Sequence, residues 1–122
     1  MDRPVKKPEI TPGETAQSLL DERCVSPENC QSMAEIRQGI DAIDRALGCL
    51  LAERQRYVEQ AGRIKPSRDT VRDEDRVADV IAKARAALIA NGGNAELAET
   101  VWRPMVEWFI AHEFDVFDDR SS

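Results

Sequence analysis

Residues 32–66 read SMAEIRQGIDAIDRALGCLLAERQRYVEQAGRIKP, and the spacing within them decides the fold. Ser32-Met33-Ala34-Glu35 has the form of a capping box, in which a hydroxyl and a carboxylate satisfy amides that the first helical turn leaves free. Ile36, Ile40, Ile43, Leu47, Leu50, Arg54, Tyr57, Ala61 and Ile64 then recur at alternating steps of four and three. That is a heptad seam held for about 30 residues. Pro66 ends it, because proline has no N–H to continue the ladder. Such a helix is about 50 Å long. A compact chain of 122 residues has a radius of gyration of about 14 Å and so a diameter of about 35 Å. The helix therefore overhangs what its own chain covers, and a two-fold homodimer of this helix against its copy is the economical way to bury the seam.

Outward from that helix, a second is expected from Asp73, its N-cap, to about Asn91, with Val77, Val80 or Ile81, Ala84 and Leu88 on its apolar face. Asn91-Gly92-Gly93 supplies the stop. A third helix starts at Asn94 and carries Leu97, Val101, Met105, Phe109 and Val116 or Phe117; Pro104 inside it predicts a kink or a late start. Residues 1–30, with Pro4, Pro8, Pro12, Gly13 and Pro27, read as a mostly disordered lead-in with one helical turn near Thr15 to Glu22. Residues 31–120 read as one all-α domain, a three-helix chain with a long first helix.

Composition limits the function. With 17 Lys and Arg against 23 Asp and Glu, the net charge is −6, which excludes a nucleic-acid module running on bulk positive charge. No apolar run reaches membrane-spanning length, and the first eight residues do not resemble a secretory signal, so a cytoplasmic protein with no membrane partner is expected. One histidine excludes a His-rich metal site, and Cys24 and Cys30 lack metal-ligand spacing, so no metal is expected. Cys49, near the expected two-fold axis, reads as a small packing residue.

Cations stand where apolar residues belong. Arg54 occupies a seam position, and a buried guanidinium costs several kcal/mol without an anion. Lys65 follows eleven residues later, three turns on, and so shares its face. Arg76 opens the second helix, where the helix dipole disfavours a cation. Glu113 falls on the third helix's apolar stripe, four residues after Phe109; pairing with Arg54 explains both, and a dianion held by the cations with Glu113 as a neutral acid is the alternative. His112, one residue off that stripe, reads as an exposed side chain, and the cluster of Trp102, Trp108, Phe109, Phe114 and Phe117 as core and dimer packing. Arg37 precedes Arg54 by 17 residues, about 25 Å along one helix. In an antiparallel dimer with its axis near residues 45 and 46, Arg37 of one chain falls beside Arg54 of the other.

The ordered residues Ile36-Arg37, Ile40-Asp41-Ala42-Ile43-Asp44, Leu51-Ala52-Glu53-Arg54 and Ile64-Lys65 resemble the first helix of the all-helical chorismate mutases. Val71-Arg72-Asp73-Glu74-Asp75-Arg76 is similar to that family's loop and second-helix start. Pro27-Glu28-Asn29-Cys30 ahead of Met33-Ala34-Glu35-Ile36-Arg37, and Trp108-Phe109-Ile110-Ala111, resemble its isochorismate-pyruvate lyase branch. Both groups are intertwined helical dimers. The resemblance implies that Arg54 and the neighbouring subunit's Arg37 bind two substrate carboxylates, and that Lys65 reaches a carboxylate and the ether oxygen. It implies that Arg76 supports the pocket from the start of the second helix, that Asp73 and Val77 belong with it to the substrate-binding set, and that residue 113 donates to the ether oxygen. The reaction is pericyclic, so no cofactor is implied.

Two positions depart from the pattern. Many members have Gln where this chain has Glu113, and a glutamate donates only when protonated. The expected outcome is activity that falls as Glu113 ionises, with a profile that Glu113→Gln flattens. Val77 stands where typical mutases carry a Glu that contacts the ring hydroxyl, and the lyase branch is apolar there. Chorismate mutase is the first reading, from the Val71–Arg76 run. An isochorismate-pyruvate lyase, a mutase of an amino-substituted chorismate and a non-catalytic helical dimer module are the alternatives.

Overall fold

A computed structural model describes residues 15–23 and 25–120; Cys24 and the part of the expected lead-in at 1–14 lie outside the described residues. Four α-helices follow in order: α1 (Ala16–Leu20), α2 (Met33–Ile64), α3 (Glu74–Ala90) and α4 (Arg103–Asp119). The described residues contain no strand, and no helix among them is long and apolar enough to cross a membrane. The chain is all-α with a long first main helix, as expected, and α1 occupies the predicted turn. Two compact units divide between Glu53 and Arg54, and α2 contributes to both.

In the first unit, Thr15 and Ser18 form a reciprocal capping box that starts α1. Leu19 is buried, as are Ala42 and Ala46, which lie one turn apart on α2. Glu22 ties the two segments together through an ion pair with Arg45 and a carbonyl that accepts from Gln38 Nε2 at 3.3 Å. At the start of α2, Ser32 Oγ accepts from the Glu35 amide at 3.2 Å, while the Glu35 carboxylate takes the Gln31 amide at 3.0 Å. The box therefore closes one residue earlier than the sequence implies. Along this half of α2, Ile36, Ile40, Ile43, Leu47, Leu50 and Leu51 remain 37–52% exposed, so the apolar row finds no cover in its own unit.

The second unit holds the rest of α2 with α3 and α4. Phe109 lies beside Arg54, His112 beside Glu59, and Glu113 and Val116 beside Gly62. This order shows α4 running in the same direction as α2. Val77 and Ile81 of α3 meet Val106 of α4, flanked by Val80, Trp102 and Ile110; each such buried side chain stabilises by about 1.5–3 kcal/mol.

Local chemistry sets the ends of these elements. The Asp73 side chain accepts from the Arg76 amide at 3.1 Å and caps α3. Gly92 adopts φ +79°, its amide bonds to Ile89 O, and the Gly93 amide bonds to Leu88 O at 2.7 Å. These bonds form the double closure of a Schellman stop. Arg120 Nη1 donates to the carbonyls of Gly62 and Arg63, which the end of α2 leaves free. The third expected helix begins in helical form near Glu96, widens into a π turn at Ala98–Trp102, and resumes as α4 with Pro104 in its first turn. Proline lacks the donor for a regular interior bond, and the wider turn absorbs that gap.

Candidate active site

A cavity of about 480 Å³ opens within the second unit, where α2, α3, α4 and the loop after α2 meet. Arg54, Lys65 and Arg76 line it together with Asp73, Val77 and Glu113. Six of the seven residues singled out in the sequence are thus brought to one cavity. Arg37 is not among its lining residues; it borders a separate open depression with Asp41, Asp44 and Arg45.

Each cation is held differently. Lys65 Nζ donates to Glu113 Oε2 at 2.5 Å and to the Val71 carbonyl at 3.1 Å, which uses two of its three donors. Arg76 is largely exposed and donates to Asp79 Oδ2 at 2.8 Å; Asp79 also pairs with Lys83 at 2.9 Å. Lys83 and then Arg76 hold the Asp79 carboxyl below its usual range. Among the described residues, Arg54 has no such partner. Its Nη1 is buried with no hydrogen-bond acceptor, and its Cζ sits 4.5 Å from the centre of the Phe109 ring. Burial, and secondly the Arg76 charge, push this guanidinium below its ordinary value.

The pairing of Glu113 with Arg54 is therefore corrected: Lys65 takes the carboxylate. Glu113 stands one turn beyond Phe109 on α4, level with Gly62 at the end of α2, from which Lys65 follows directly. His112 is corrected too. Its Nε2 lies 2.7 Å from Glu59 Oε2 and its ring stacks on Trp108 at 5.1 Å, so it ties α4 to α2 rather than facing solvent freely.

The loop after α2 carries Thr70 and Val71 to the cavity and is fixed to α4 at both ends. Arg68 pairs with Asp118 at 3.1 Å, and Arg72 engages both oxygens of Glu107 at 2.9 and 2.8 Å. Glu107 and then Glu74 raise the Arg72 guanidinium above its usual value. On the α3 side the wall is apolar: Val77 is only 7% exposed and packs into the core. Three cations over an apolar wall make a receptor for an anion with a hydrocarbon body.

Residues 36–114 match the family model described as chorismate mutase type II. The chain belongs to this family. The matched span contains Arg37, Arg54, Lys65, Asp73, Arg76, Val77 and Glu113. The isochorismate pyruvate lyase of Pseudomonas aeruginosa PAO1 is 32% identical over 88 residues, which cover 72% of this chain and 87% of that protein.

In this chorismate mutase-type chain, Phe109 and the Val71 carbonyl are site features that the sequence alone did not reveal. An aromatic on an apolar stripe reads as core, and a backbone acceptor leaves no mark in the residue types. Among the described residues, no group of three His, Cys, Asp or Glu is placed to hold a metal ion.

Proposed function

We propose that this chain catalyses the rearrangement of chorismate to prephenate. The observation that carries this reading is Arg54: a partly buried guanidinium with an unpaired Nη1, beside Arg76, in a cavity with an apolar wall. A cation so placed is uncompensated until an anion arrives. Arg54 would hold one substrate carboxylate, and Arg37 of a second subunit in a homodimer would hold the other. The uncovered apolar row of α2 supports such a dimer. Lys65 would offer its third N–H to a carboxylate and the ether oxygen, and Arg76, fixed by Asp79, would add positive potential.

In the reaction the ether C–O bond breaks as a C–C bond forms, and nothing enters or leaves. Catalysis then consists of holding the compact conformer and facing the charge that grows on the ether oxygen with fixed cations. Glu113, already an acceptor for Lys65, would reach the ether oxygen as a donor only in its protonated form.

A second reading, release of pyruvate from isochorismate to give salicylate, is favoured by the buried apolar Val77 and by the relative that bears that name. Incubation with chorismate and with isochorismate, followed by assay for prephenate and for salicylate plus pyruvate, separates the two. Turnover of neither would leave a mutase of an amino-substituted chorismate or a non-catalytic helical module.

A further inference from the structure

We propose that Phe109 is a positioning residue for substrate binding: its ring carries the Arg54 guanidinium at the cavity wall without taking its N–H donors, which stay for a carboxylate. The inference rests on the reading of the cavity as a dicarboxylate site. A carboxylate partner would also hold Arg54, but it would consume the donors that the substrate needs. An aromatic face attracts the cation through its quadrupole and leaves those N–H groups available.

Comparison within the molecule supports the assignment. Arg68 lies over Phe114 at 4.5 Å and Arg120 over Phe117 at 3.7 Å. In both of these the guanidinium also donates to protein oxygens, Arg68 Nε to Asp118 and Arg120 Nη1 to the carbonyls of Gly62 and Arg63. Those stacks fasten the fold. At Phe109 the ring is buried to 6% exposure, lines the cavity, and meets Trp108 edge-on at 5.2 Å with the planes at 90°. The platform is therefore held by its burial and by a neighbouring ring, while the cation on it keeps a buried, unpaired Nη1.

The carboxylate that Arg54 takes is bound in substrate and transition state alike, so loosening the guanidinium weakens both equally. Two replacements at 109 test this, with KM and kcat measured on whichever of chorismate and isochorismate is turned over, and Kd by titration. Phe109→Leu keeps the apolar bulk and removes the ring. 3,4,5-Trifluorophenylalanine at 109 keeps the ring shape and weakens its quadrupole, so it tests the contact even where the leucine variant folds poorly. The expected result is a KM and Kd raised by about 3- to 30-fold with kcat within about twofold, and recovery in Phe109→Tyr. A structural role alone would lower the active fraction and leave KM unmoved. Turnover by the wild-type protein with unchanged KM in the trifluoro variant overturns the inference and leaves the functional reading standing. A wild-type protein that neither binds nor turns over either compound overturns the functional reading, and the inference with it.

Discussion

Arg54 is bound to the fold by a ring on one side and by nothing that accepts from its buried Nη1. A residue in that state lowers stability, and under the proposed function it does so for the sake of binding. Arg54→Met should therefore raise the thermal midpoint, by about 1 kcal/mol of stability, and lower kcat/KM at least about 100-fold. A melt and a rate assay on the same preparation check both halves. A loss of stability in this variant would show that the contact with Phe109 outweighs the cost of the buried cation and that Arg54 is a structural residue. The site cations were legible because each broke a local rule: Arg54 on an apolar seam, Lys65 on the same face, Arg76 at the wrong end of a helix dipole. What was not legible was who pairs with whom. Lys65, and not Arg54, takes Glu113 because of the register of α4 along α2, and register is set by packing between elements rather than by spacing within one.

At the scale of elements, Gly62 marks a close approach of α2 to α4. A Cβ there would meet the Glu113 carbonyl at 3.0 Å and Val116 Cγ1 at 3.1 Å. Gly62→Ala gains up to about 1 kcal/mol of helix propensity, but overpacking costs about 1–3 kcal/mol and shifts Glu113 away from Lys65. Lower stability with a reduced kcat is the expected outcome, read by denaturant titration and turnover. A little nearer the start of the unit, the His112 hydrogen bond leads, and Gln55 follows, in holding the Glu59 carboxyl below its usual range. A carboxyl depressed by folding adds stability that is full above its unfolded titration and is lost as pH falls through its folded one. Stability should thus decline as pH falls through and below the ordinary carboxylate range, and His112→Ala should make that decline smaller. Denaturant midpoints across that range decide it. The helices themselves were readable from their ends, at Ser32, Asp73 and Asn91-Gly92-Gly93, since caps are local chemistry. The π turn at Ala98–Trp102 was not, because Pro104 permits either a kink or a restart and packing chooses between them.

For the whole molecule, the consequence lies in Arg37, which shares α2 with Arg54 yet does not line its cavity. Under the proposed dimer, every site takes Arg54 from one chain and Arg37 from the other. Two dead proteins then hold one living site between them. Arg37→Ala and Arg54→Ala variants, each inactive alone, should regain activity when unfolded together and refolded as a mixture. In a mixed pair one site receives both intact arginines and the other receives neither. Random pairing of equal amounts makes half the pairs mixed, so about a quarter of wild-type activity should return. No recovery, in a mixture shown to exchange chains, would mean that no site draws one arginine from each chain. The same arrangement would make activity sensitive to the protein's own abundance. On dilution past the point where pairs separate, activity per chain should fall even while each helix keeps its form, because mass action removes the partner that lends the missing cation.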